Sequence, residues 1–180
     1  DQDRVFSQLG EDLNKYKLAI TLLLTTRGVP QLYYGTENLT RNFKNPSDAE
    51  VRKDFEGGWP GDMVNKFVKS GRNQLENEAF DFVKKLANYR KNTAALNAGT
   101  LLQYMPKDGF YVYFRKNSSK TIMIILSQNS ENKRIDLSRY SEGIGLYTGG
   151  YDILTERSFG LNLPLEVPAM GAMVVELVNK

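Results

Sequence analysis

The chain has 180 residues, 41% hydrophobic and 25% charged, enough to bury a core for one or two domains but with no apolar run near the roughly 20 residues that span a bilayer. Its net charge of +3 is spread evenly, with 15 basic and 13 acidic groups in residues 1–98 and 9 and 8 in residues 99–180, which argues against the concentrated basic patch of a nucleic-acid binder. Cysteine and histidine are both absent, so disulfides, thiolate catalysis, His-ligated zinc and Ser-His or Cys-His nucleophile pairs are excluded, and any chemistry falls to carboxylates.

Residues 1–10 read as a polar loop carrying Asp1, Asp3 and Arg4. No basic stretch followed by an apolar core opens the chain, so no signal peptide is expected in it, and its start is expected to be a cut end. From Glu11 to about Thr25, Leu13, Tyr16, Ile20, Leu23 and Leu24 recur at helical spacing. Leu18, Ala19 and Leu22 widen the stripe until the second half is apolar nearly all round, a helix that expects cover on several sides. Gly28 and Pro30 then stop it. The run Gln31-Leu32-Tyr33-Tyr34, ended by Gly35, predicts a short buried parallel strand. A loop rich in Asn, Asp, Gly and Pro follows to about Gly61, long enough to suggest function, with short helical character expected around Asp48–Lys53 and Met63–Phe67. Asn73 with Glu76 three residues on has capping-box spacing and predicts a helix to about Lys91 through Leu75, Ala79, Phe82, Val83, Leu86 and Tyr89.

Beyond Ala98 the composition turns to β. Short strands are predicted at Leu101–Met105, Phe110–Arg115, Thr121–Ser127, Arg134–Leu137, Gly145–Tyr147, Tyr151–Leu154 and Ala172–Leu177, divided by turn signals such as Lys107-Asp108-Gly109 and Gly149-Gly150. That spacing suggests an antiparallel sandwich over residues 99–180, with residues 1–98 as a separate domain.

Three motifs carry a resemblance. Gly28, Pro30, Tyr33, Tyr34, Gly35 and Glu37 fit "GxPxxYYGxE", Asp1-Gln2-Asp3-Arg4 looks like the tail of "NHDxxR", and Arg52 to Trp59 looks like "RxDFPGGW" with Glu56 in place of Pro. Together they resemble the alpha-amylase family of glycoside hydrolases, closest to its cyclodextrinase, neopullulanase and maltogenic amylase branch. The resemblance implies a fold class of α/β plus all-β: the last βα portion of a TIM (β/α)8 barrel, with Gln31–Tyr34 as the eighth strand, followed by the antiparallel β-sandwich.

Such enzymes need one carboxyl group to protonate the leaving oxygen and another to attack the anomeric carbon. The resemblance implies that these follow earlier barrel strands, so this chain lacks both, is a C-terminal piece of a longer retaining hydrolase, and is inactive alone. It makes Asp1 the third carboxylate, which stabilises the transition state; the bland alternative is a terminal Asp in a frayed end. Arg4 holds a catalytic carboxylate or a sugar hydroxyl, or is a surface guanidinium. Glu37 is a sugar ligand or a hydrogen-bond partner behind one. Trp59, the sole Trp, stacks on sugar or anchors its own loop, and Arg52 and Asp54 are candidates for an ion pair that shapes that loop. Tyr33 and Tyr34 are expected in the core, since adjacent strand residues point to opposite packed faces.

No cofactor is expected. Calcium occurs in that branch, but no ligand cluster for it is found here, Asn42, Asn45 and Asp48 being too spread. The implied partners are α-1,4- and α-1,6-glucan oligosaccharides (maltodextrin, pullulan or cyclodextrin) and either the remainder of the barrel or a second copy, in a bacterial periplasm or cytoplasm. The alternative from another class is a non-catalytic carbohydrate-binding or structural β-sandwich module.

Overall fold

The computed structural model describes residues 2–179. They form two compact units: one comprises the chain up to Lys17 with Gln31–Lys85, the other Leu18–Pro30 with Leu86 onward.

In the first unit, α1 (Val5–Gln8) leads into a left-handed turn at Gly10 and Glu11 and then α2 (Leu13–Thr25), whose later part belongs to the second unit. Asp12 starts α2, its Oδ1 accepting from the amides of Asn14 (2.8 Å) and Lys15 (3.1 Å) that have no partner within the helix. Phe6 meets the buried Tyr16 edge-on at 6.0 Å, and Leu39, Val51 and Ala79 are buried in the same unit. The long loop contains single-turn helices at Thr36–Asn38, Asp48–Val51 and Lys69–Gly71. α3 (Gln74–Lys91) begins with the expected reciprocal cap: the Asn73 amide donates to Glu76 Oε2 and the Glu76 amide to Asn73 Oδ1, both at 2.9 Å.

The strand expected at Gln31–Tyr34 is not formed. Gln31 and Leu32 are irregular and Tyr33-Tyr34 turn into the Thr36–Asn38 helix, the Thr36 amide donating to Tyr33 O at 3.1 Å. A parallel strand exists only through neighbours on its edges, and the described residues provide none beside this segment. Tyr33 and Tyr34, expected in the core, are accordingly 49% and 39% exposed.

The second unit is an antiparallel β domain. After α4 (Ala94–Ala98) come β1 (Thr100–Gln103), β2 (Phe110–Lys116), β3 (Thr121–Ser127) and β4 (Lys133–Ile135). Then follow α5 (Ser141–Ile144), β5 (Gly149–Asp152), β6 (Arg157–Gly160), β7 (Leu165–Val167) and β8 (Ala172–Val178). Six strands pair antiparallel in the order β1-β2-β3-β8-β5-β6, and β4 pairs with β7. Phe110, Val112 and Phe114 share one face of the large sheet with Met123, Ile125, Met173 and Val175, as the register requires, and pack against Ile135, Leu137, Tyr140 and Val167 from the opposite layer.

The other face carries Tyr113, Arg115, Ile122, Ile124 and Val174, also buried, which is why β3 reads as an unbroken apolar run. Arg115 there donates from Nη1 to Thr25 O (3.0 Å) and Thr26 O (2.6 Å) and from Nη2 to Gly99 O (3.1 Å). Arg90 donates to Leu24 O (2.9 Å), Thr26 O (3.3 Å) and Gly28 O (2.7 Å). Two guanidinium groups thus occupy the carbonyl end of α2, where the helix dipole favours cations. Burial holds the pKa of both below the usual arginine value, Arg90 adding to the effect at Arg115.

The strand expected at Gly145–Tyr147 is absent; Tyr140 and Ile144 are buried as part of helical turns, and Leu146 is left outside. Gly149-Gly150, expected as a turn, open β5 instead. A side chain at Gly150 would come within 2.5 Å of Val175 Cγ1, so glycine is what lets β5 pass its neighbour.

Candidate functional site

The expected site residues lie in the first unit, and Arg4 is the most constrained of them. Its segment is sewn to the loop beyond Gly35: the Arg4 amide donates to Asn42 O (3.0 Å), the Asn42 amide to Ser7 Oγ (2.9 Å), and the Lys44 amide to Asp3 Oδ1 (2.7 Å). The Arg4 side chain is 4% exposed. Nη1 donates to Tyr34 O at 2.5 Å, and the guanidinium carbon lies 4.5 Å from the Tyr33 ring centroid and 4.7 Å from that of Tyr34. Each such contact contributes about 0.5–2 kcal/mol, more as water is excluded. Nε and Nη2 are buried without a hydrogen-bond partner. The Tyr33 hydroxyl is held above its ordinary pKa by its hydrogen bond with Tyr34 and by burial, against the pull of the Arg4 charge. Tyr34 is fixed at its far end, its hydroxyl donating to Lys53 O at 2.9 Å.

Glu37 sits in the Thr36–Asn38 turn, which Gly35 enters with φ of 79°. A side chain at Gly35 would lie 2.3 Å from Thr40 Oγ1, so both the conformation and the space demand glycine. Tyr16 ties the turn to α2 by donating to Thr36 O at 2.8 Å; burial and then the charge of Glu37 push its hydroxyl pKa up. Asn38, next in the turn, is buried with neither Oδ1 nor Nδ2 partnered. Nothing in the sequence distinguished it from the other loop asparagines.

Trp59 is 63% exposed on a turn organised by Asp62, whose Oδ2 accepts from the Gly57 amide (2.7 Å) and the Trp59 amide (3.1 Å). Those backbone donors hold the Asp62 pKa below the ordinary carboxylate range. The turn is tied onward by Lys66, whose Nζ bridges Glu56 Oε2 and Glu76 Oε1, both at 2.7 Å. Arg52 pairs with Asp48 at 3.7 Å. The turn presents the indole outward instead of folding it inward as an anchor.

Arg4, Tyr33 and Tyr34 therefore form one cluster, while among the described residues no hydrogen bond or ring contact joins Trp59 to Arg4 or Glu37. Asp1 lies outside the described residues. No group of three acidic side chains placed to hold a metal ion occurs among the described residues.

The cyclo-malto-dextrinase C-terminal domain model matches residues 101–176, the span of the β domain from β1 to β8. Residues 101–176 belong to that family. Consistent with this, the chain is 34% identical over 143 residues to the maltogenic alpha-amylase of Bacillus acidopullulyticus, covering 77% of this chain and 22% of that protein. It is 29% identical over 154 residues to the cyclomaltodextrinase of Geobacillus thermopakistaniensis, covering 83% and 24%. The crystal structure of the alpha-amylase from Geobacillus thermoleovorans with acarbose has the same fold over 100% of this chain and 37% of its own, with a TM-score of 0.76 and 24% identity.

The chain spans less than a quarter of the length of these two curated relatives. The family match is confined to residues 101–176, and further residues precede it. Arg4, Glu37 and Trp59 all precede the cyclo-malto-dextrinase C-terminal domain itself.

Proposed function

We propose that the chain is the C-terminal part of a retaining α-glucan hydrolase of the neopullulanase type acting on maltodextrin, pullulan or cyclodextrin, and that residues 1–98 are the end of its (β/α)8 barrel. Asp1 is the carboxylate that stabilises the transition state, and Arg4, Glu37 and Trp59 stand on the substrate side of the same loop end. The nucleophile and the acid lie in the rest of the parent, so this chain alone is inactive.

The observation that carries the reading is the cluster at Arg4, Tyr33 and Tyr34. A buried cation with Nε and Nη2 unpartnered, beside a segment that has the strand residues but no neighbouring strands among the described residues, supports reading this region as part of a larger structure. The exposed indole of Trp59 supplies a flat apolar surface of the kind on which a sugar's C–H face stacks.

The test is hydrolysis of a nitrophenyl maltoside and of maltotriose by the 180-residue chain, expected at the buffer rate. Turnover that scales with protein concentration and disappears in Asp1→Asn would overturn the assignment of the nucleophile and acid to another segment.

A further inference from the structure

The buried guanidinium of Arg4 is bonded on one side only. A guanidinium has two hydrogen-bonding edges, and here they are treated differently. Nη1 is committed to Tyr34 O, a neutral carbonyl, whereas Nε and Nη2 have no acceptor. Those two N–H groups are parallel and spaced to match the two oxygens of one carboxylate. Both ring contacts leave the charge formally unneutralised, and among the described residues no carboxylate is paired with Arg4. A buried cation satisfied on one edge by a carbonyl and open on the other calls for an anion, not a water, because water supplies no countercharge.

Asn38 in the same unit points the same way. Its amide, 1% exposed, has both its acceptor and its donor idle, so the polar interior of this unit is incomplete at two separate side chains. In the second unit Arg115 Nε is likewise buried without a partner, but there the other guanidinium atoms reach three carbonyls, and the buried Asp152 accepts from the amides of Leu154, Thr155 and Val174 and from Thr155 Oγ1.

We propose that Arg4 is a carboxylate seat: its Nε–H and Nη2–H edge takes an aspartate or glutamate side chain side-on, supplied by a polypeptide segment other than residues 2–179. Tyr33 and Tyr34, both partly exposed, are the cover that such a segment displaces. This rests on reading residues 1–98 as one end of a barrel whose other segments pack on it, and it gives Arg4 an ion-pairing role toward protein in place of a direct bond to sugar.

Formate, the smallest carboxylate, is the probe. The full chain is titrated with sodium formate against sodium chloride at equal ionic strength and pH 7, reading the Arg4 Nε–H resonance and the ring protons of Tyr33 and Tyr34 by NMR. The expected result is a saturable shift of all three with formate, at least several-fold larger than with chloride. Arg4→Lys, which keeps the charge but has no parallel N–H pair, should lose the saturable tyrosine response. A formate response no larger than chloride's in the wild-type chain overturns the proposal, as does an undiminished saturable response in Arg4→Lys. Turnover by the isolated chain would sink the reading of the previous subsection and leave the formate result standing, so the two can fail separately.

Discussion

Replacing Arg115 by Met tests whether the paired arginines at the end of α2 stabilise the β domain or burden it. The side chain is fully buried on β2 and its three donated bonds end on Thr25 O, Thr26 O and Gly99 O. Methionine fills most of the stem's space, so the loss is mainly polar. Thr26 O keeps a second donor in Arg90 at 3.3 Å, which leaves two carbonyls stripped of this partner. Each costs about 1–3 kcal/mol when left unmet. Against this stand the buried Nε of Arg115, itself without a partner, and the repulsion from Arg90 that helps hold the Arg115 pKa down. Both are relieved by the substitution, returning about 1–3 kcal/mol. The balance is a loss of about 1–3 kcal/mol. With a urea slope of about 2 kcal/mol per molar, the midpoint falls by about 0.5–1.5 M. Far-UV circular dichroism during urea unfolding measures it, with Arg115→Lys expected in between. An unchanged or higher midpoint in Arg115→Met would show that desolvating two neighbouring cations outweighs their bonds, refuting the capping account.

Asp62 makes the Trp59 turn acid-sensitive. Its pKa is depressed in the folded turn, so the stabilisation is full above the ordinary carboxylate value and is lost as pH falls through the lower folded value; emission from the sole Trp should change only below about pH 4 and not at all in Asp62→Asn. A transition centred above pH 5 would contradict it. Asn73→Ala removes the acceptor for the Glu76 amide and should cost about 1 kcal/mol, with faster amide exchange confined to the first turn of α3. Asp152→Ala strands three backbone amides at the β5 end and should cost about 2–4 kcal/mol in thermal or urea unfolding, Asn at that position recovering part of it. Amides of β2, β3 and β8 should outlast those of residues 31–72 in hydrogen exchange, because the former lie in a doubly covered sheet and the latter in single turns; equal protection would argue against the difference in packing.

Elements whose cause is local were legible in the sequence. The capping box at Asn73 and Glu76 is a contact between residues three apart, and it forms as expected. β3 was legible to the residue, since burial on both faces leaves an apolar run that needs no knowledge of partners. β6 and β7 were not. They are four and three residues long, and the sequences Arg-Ser-Phe-Gly and Leu-Glu-Val carry no alternation long enough to detect; only pairing with β5 and β4 makes them strands. The same reasoning explains Gly149-Gly150, a turn signal by composition that is strand through its pairing with β6 and β8, where Val175 leaves no room for a side chain at Gly150.

Gln31–Tyr34 is the converse case, a strand sequence without a strand. Its apolar and aromatic residues suit a position walled on both sides, and in that setting Tyr33 and Tyr34 would point to opposite packed faces. Without edge neighbours the backbone is released, and the two rings, 4.4 Å apart between centroids, instead gather at the guanidinium of Arg4. Arg4 itself was open to three readings on sequence grounds, and its burial removes the one that left it on the surface. What remains is a cation enclosed by aromatic rings whose open edge is built for an anion. On the reading proposed above, the strand that does not form and the charge that is not neutralised share one physical origin, since each takes its partner from another segment.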